Sequence, residues 1–177
     1  IHDCSGRLVR EFVRLPAGLS TMDTSCASRL PEIRAIASFP RRLADVEPPT
    51  ADPAGTADQT ALQLAAVAAA TVGDAVEQYW YVLDEEVGLR GGRVEITESE
   101  AVRFRFRQAR FVTDARMDGT ATWDLVDGAV SADVTITGPD RIAGRFEISW
   151  FHYRPRAVAT VVGTVGDLVV RATLPAL

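Results

Sequence analysis

Near residue 93 the repeat length of this sequence changes. Upstream, residues 57–83 place Ala61, Leu64, Ala65, Ala68, Val72, Ala75, Val76, Tyr79, Trp80 and Leu83 at i, i+3 and i+4 spacing, the stripe of one long helix. Gln63, Asp74, Glu77 and Gln78 fall on its other faces, and Thr56 with Gln59 reads as a capping box. Downstream, the period becomes two. "VRFRFR" sets Val102, Phe104 and Phe106 against Arg103, Arg105 and Arg107. "ATWDL" gives Ala121, Trp123 and Leu125, and "VSADVTI" gives Val130, Ala132, Val134 and Ile136. "IAGRFEISW" contributes Ile142, Phe146, Ile148 and Trp150, and "LVVRATL" adds Leu168, Val170, Ala172 and Leu174. Turn signals "MDG", "VDG", "GPD" and "VGD" lie between these runs.

A helical period followed by alternating strands with short turns specifies α+β. The expected fold is one long helix packed on a curled antiparallel meander of six to eight strands, apolar on one face only. Residues 5–14, "SGRLVREFVR", form a short amphipathic helix with Leu8, Val9, Phe12 and Val13 on one stripe, Ser5 at its start, and Pro16 and Gly18 at its end. Six prolines between 16 and 55 mark irregular chain, with "VEPPTADPAGT" its most linker-like piece. The expected organisation is therefore 1–45, a linker 46–55, and a helix-plus-sheet module 56–177.

The 177 residues, 47% of them hydrophobic, suffice for a real core. The net charge of −5 argues against nucleic acid as the main partner. Every basic side chain except the two histidines is Arg, so Arg clusters carry little information here. The comb Arg103, Arg105, Arg107, with Arg110 nearby, reads as an exposed strand face pairing with acids across strands. The Ala-rich stretch "ALQLAAVAAATVGDAV" is too short and too weakly apolar to span a bilayer.

His2, Asp3 and Cys4 would need further convergent ligands to hold a metal, and Cys4 or Cys26 as a nucleophile would need a placed base. Glu95, Glu98, Glu100, Asp114 and Asp118 scatter around turns without forming a catalytic pair. Gly88, Gly91 and Gly92 are turn glycines. No nucleophile elbow, P-loop or dinucleotide fingerprint is present, and no metal or cofactor is expected. His152, in "SWFHYRP", sits among aromatics at a strand end, beside Trp150, Tyr153 and Arg154. Trp80, Phe104, Trp123, Trp150 and His152 are the candidate lining of a pocket between helix and sheet. If Trp80, Phe104, Phe106, Trp123 and Trp150 fill that space, no cavity remains. Cys4 and Cys26 are either two buried thiols or a disulfide worth roughly 3 kcal/mol in loop entropy.

Taken together, "DCSGRLVREFV", Cys26, "RLPEIRAIASFPRRLADVEP", "GLRGG" and "VVGTVGDLVVRATLP" resemble the C-terminal region of secreted actinobacterial α/β-hydrolases, the tripeptidyl-aminopeptidase-like serine hydrolases. In that pattern the Cys follows Ser-Gly, whereas here Cys4 precedes Ser5. The resemblance implies a Cys4–Cys26 disulfide and an extracytoplasmic location. It implies that the chain begins just after the catalytic His loop, with the triad upstream and His2 the one fallback triad residue. Residues 1–45 would complete a hydrolase core, the partner of the module within the same polypeptide, acting on a peptide or ester. On its own the chain is then not catalytic. The alternative is a small-ligand or surface-binding α+β module with no hydrolase parent.

Overall fold

The structure, a computed structural model, describes residues 3–14, 22–26, 39–81 and 85–176. His2, Pro16, Gly18 and Leu83, and the strap between 27 and 38, lie outside the described residues. The chain divides into two compact units, residues 1–39 and 40–177.

In the first unit, helix α1 spans Asp3–Arg14. Ser5 therefore lies inside its first turn rather than capping it. Cys4 and Cys26 form a disulfide with Cα atoms 5.7 Å apart. Arg7 reaches the carboxylate of Asp23 at 3.5 Å, and Asp23 Oδ1 accepts the Ser25 backbone N–H at 2.9 Å. These bonds hold the Asp23 carboxyl below its usual range, the Ser25 hydrogen bonds being the main cause. The apolar stripe of α1 faces water, with Val9, Phe12 and Val13 at 62%, 52% and 72% exposure.

The second unit is the expected α+β fold. Strands β1 (Thr50–Ala51), β2 (Glu85–Glu86), β3 (Arg93–Glu98), β4 (Val102–Ala109), β5 (Arg116–Trp123), β6 (Ala129–Thr137), β7 (Ala143–Phe151), β8 (Val158–Val165) and β9 (Leu168–Pro175) make one antiparallel sheet. Its order is β1-β9-β8-β7-β6-β5-β4-β3-β2, so β3 to β9 form a seven-strand meander and two-residue strands close the edges. On β4 the alternation holds: Val102, Phe104 and Phe106 are buried and the Arg comb is exposed. Arg107 of the comb pairs across strands, in a bidentate contact with Glu95 at 2.8 and 3.2 Å.

Helix α2, Gln59–Gln78, lies on the inner face. Its alanines have little side-chain bulk, so Ala61, Ala65, Ala68 and Ala75 are buried to within 1%. Leu64, Val72 and Val76 fill the space toward Phe104, Phe146 and Ile148 in the same core. The N-cap is Asp58, whose Oδ1 accepts the Ala61 N–H at 2.8 Å, not Thr56. Thr56 is instead bonded to Val169 at the start of β9, backbone N–H to carbonyl and Val169 N–H to its hydroxyl, both at 2.9 Å. Gln63 is buried because residues 40–46 cross over it, and its Nε2 donates to the carbonyls of Val46 and Ala44 at 2.8 and 3.3 Å.

Three further expectations change. "MDG" is not a turn: Asp118 and Gly119 lie within β5, opposite a β-bulge at Gln108. Gln108 has φ +51°, and both its backbone N–H and its side-chain amide donate to the Asp118 carboxylate. Leu125 and Ile142 belong to turns rather than strands. The stretch read as linker is laid along β9, where β1 pairs Thr50 with Thr173 and Ala51 with Ala172.

The "GLRGG" turn has a clear structural role. Gly91 N–H donates to the Gly88 carbonyl, Arg90 N–H to Arg110, and Arg110 N–H back to Gly91, at 2.8, 2.8 and 2.9 Å. Gly92 has φ +84°, and a Cβ there would stand 2.1 Å from the Gln108 carbonyl oxygen, so only glycine fits. The Arg90 guanidinium then holds the carbonyl of Pro40 at 3.2 Å, fastening the start of the unit.

Candidate functional site

The most distinctive side-chain cluster is a run of aromatic rings at one end of the second unit. Helix α2 ends at Gln78 and tightens into a 3-10 turn, Tyr79–Tyr81. That turn rotates Trp80 out of the apolar stripe, leaving it 64% exposed, with Tyr81 at 87%. Trp123, the last residue of β5, lies fully buried beneath. Its ring meets Tyr79 at 5.5 Å, Trp80 at 5.8 Å, His152 at 4.9 Å and Tyr153 at 6.0 Å, all edge to face. This geometry sets positive ring edges against negative ring faces.

The loops fix these rings. Tyr153 donates its hydroxyl to the Leu125 carbonyl at 3.1 Å, and His152 N–H donates to the Gly128 carbonyl at 2.7 Å. Asp124 closes the β5–β6 turn, its Oδ1 accepting the Val126 N–H at 2.7 Å. Two carboxylates flank the rings. Glu98 Oε2 accepts the Tyr79 hydroxyl at 2.7 Å, and Glu77 Oε1 stands 3.8 Å from His152 Nδ1. The Glu98 hydrogen bond is the main reason that the Tyr79 phenol holds its proton above the ordinary value.

The structure therefore brings together Trp80, Trp123 and His152 from the expected pocket set, with Tyr153, expected beside His152, and adds Tyr79. It does not join Phe104 or Trp150 to them. Phe104 is buried in the core, and Trp150 lies in register two strands away, through Val130. Trp150 instead lines a cleft of about 150 Å³ between α2 and the sheet, with Val46, Ala66, Ala69, Ala159 and Leu174. The indole N–H groups of Trp123 and Trp150 are buried without a hydrogen-bond partner. The sequence signal that could have located Tyr79 in this cluster is "YWY" at the end of the helix, where period arguments stop.

Among the described residues no group of three or more His, Cys, Asp or Glu side chains is placed to hold a metal ion. Cys4 and Cys26 are occupied by each other. The scattered carboxylates have structural partners: Asp114 accepts the Leu43 N–H at 2.8 Å, and Asp118 holds the bulge. Arg145 clamps Asp133 at 2.8 and 3.2 Å and draws its carboxyl below the usual range. No helix among the described residues is long and apolar enough to cross a membrane. No protein family, curated protein or solved structure was found to match the chain.

Proposed function

We propose that the chain is the C-terminal accessory portion of a secreted serine α/β-hydrolase, most plainly a peptidase, and that it carries no catalytic triad of its own. The observation that carries this reading is α1. A disulfide ties the helix to Cys26 while Val9, Phe12 and Val13 stand in water. Leaving three such side chains exposed forgoes about 1.5–3 kcal/mol each. A helix of this kind is suited to complete a larger apolar core, as the last helix of a hydrolase does. The disulfide supports an oxidising compartment. In the parent, acyl transfer would run through a Ser nucleophile, a His base and an oxyanion hole contributed by the preceding core.

The test is the native gene upstream of Ile1. Several hundred codons holding G-x-S-x-G and a Gly-His shortly before Asp3 are the expected finding. An unrelated domain directly upstream would overturn the assignment. Labelling of the folded chain alone by a fluorophosphonate probe would overturn its non-catalytic character.

The alternative, a ligand-binding module without a hydrolase parent, is favoured by an open cleft of about 460 Å³ between the start of α2 and Ile142, Val165 and Leu168, and by the smaller one beside Trp150. At about 150 Å³ the latter is smaller than the ~300–1,000 Å³ of usual ligand sites. Binding at an open surface suits this fold better than enclosure.

A further inference from the structure

We infer that the aromatic end of the second unit is a docking surface for a basic segment of a partner protein, with an Arg or Lys side chain stacked on the exposed Trp80 and drawn to the ring cluster by Glu77 and Glu98. Three observations lead there. First, Trp80 and Tyr81 are exposed, and so are Tyr153, at 51% and in ring contact with Trp123, and Val126, at 91% in the turn whose Leu125 carbonyl holds the Tyr153 hydroxyl. Contiguous exposed apolar surface of this kind, rimmed by polar groups, marks an interaction site.

Second, the platform is held rigid from below. Trp80 is braced edge-on by Tyr79 at 5.2 Å and by the buried Trp123 at 5.8 Å. Little side-chain entropy remains to be lost when a partner lands on it. Third, the two side chains bonded to the ring cluster from outside it are carboxylates. Glu98 touches the platform through the Tyr79 hydroxyl, and Glu77 reaches it through His152. Neither carboxylate is bonded to a guanidinium among the described residues, whereas Glu85, Glu95 and Asp133 each are. Arg154, on the neighbouring turn, is stacked on Phe151 at 4.1 Å. An indole face flanked by carboxylates attracts a cation through both the ring quadrupole and the carboxylate charge. A neutral sugar would gain only the stacking, and an acidic segment would be repelled.

A titration of the full chain with a hexa-arginine peptide, read by tryptophan fluorescence and calorimetry, tests this. Saturable binding is expected. Trp80→Ala should weaken it about tenfold or somewhat less, the scale of one partly desolvated cation–π contact. Glu77→Gln with Glu98→Gln should weaken it further, because Gln keeps the acceptor for Tyr79 and removes only the charge. Trp80→Phe should retain part of the affinity. Since Trp80 is exposed, circular dichroism should match the wild type in each variant.

Equal binding to wild type and Trp80→Ala would mean diffuse attraction to an acidic protein, and would overturn the proposal. So would the absence of binding at millimolar peptide, or equal binding of cellobiose. Concentration-dependent dimerisation that Trp80→Ala abolishes would assign the surface to a second copy of this chain instead, and would also overturn it.

Discussion

Asp74 sits on α2 among alanines and accepts the Leu89 N–H at 3.3 Å. Burial raises its carboxyl above the ordinary value, against the opposing hydrogen bonds from Gln78 and Leu89. The folded chain therefore holds this proton more tightly than the unfolded chain does. Stability from this group is present below the unfolded carboxylate value, about 3.9, and is lost as pH rises through the folded one. An Asn at this position keeps an acceptor for Leu89 and has nothing to ionise. Asp74→Asn should be at least as stable as the wild type at pH 7, and its advantage should vanish toward pH 3, as urea unfolding at both values will measure. Gly128 has φ +77°, and a Cβ there would stand 2.5 Å from Tyr153 Cδ2. Gly128→Ala should cost about 1–3 kcal/mol and shift the Tyr153 ring resonances by NMR. The sequence shows Gly128 as the glycine of the "VDG" turn but not its contact with Tyr153, and it does not show the Asp74 site. Asp74 reads as one of several polar positions on a helix, and its partner Leu89 arrives only when "GLRGG" folds back. The burial of Gln63 is unreadable for the same reason: helical period says which face is apolar, not which polar residue a crossing strap will cover.

At the level of elements the sequence is most readable where burial is one-sided. The Phe104 and Phe106 alternation is such a case; the helical period finds α2, but not that Ala66, Val67 and Ala69, off the expected stripe, are buried as well. Reading fails where an element is too short to have a period. Strands β1 and β2 have two residues each, and their pairing is set by the neighbours β9 and β3. "MDG" misleads because Gly119 is required inside β5, where a Cβ would stand 2.4 Å from the Asp133 carbonyl oxygen, and not at a turn. The aromatic end is half legible: the residues are visible, but the 3-10 turn that presents Trp80 outward is not. Helix α1 is readable as amphipathic, and its disulfide closes a sequence separation of 22 residues. By loop entropy that bond contributes roughly 3 kcal/mol. Reduction should make residues 1–39 sensitive to limited proteolysis while leaving the unfolding midpoint of 40–177 unchanged, since the second unit has a core of its own.

Across the whole molecule, each strand from β3 to β9 pairs with its neighbour in sequence, so chain order and sheet order coincide. A meander of this kind leaves two open sides, and the side at β9 is covered by residues 50–56. Asp52 N–H donates to the Arg171 carbonyl at 2.8 Å, Thr56 takes both backbone groups of Val169, and β1 takes positions 172 and 173. The segment thus sheathes the outward hydrogen-bonding groups of β9, which would otherwise offer a template to any other strand. Seen this way, "VEPPTADPAGT" is a built-in safeguard against self-adhesion. A protease site engineered between Ala54 and Thr56 would sever β1 and Asp52 from α2 and let them leave the edge. Cleaved protein should scatter light and bind thioflavin within hours under conditions where the intact chain stays clear. A cleaved sample that remained monodisperse would show that the strand needs no such guard.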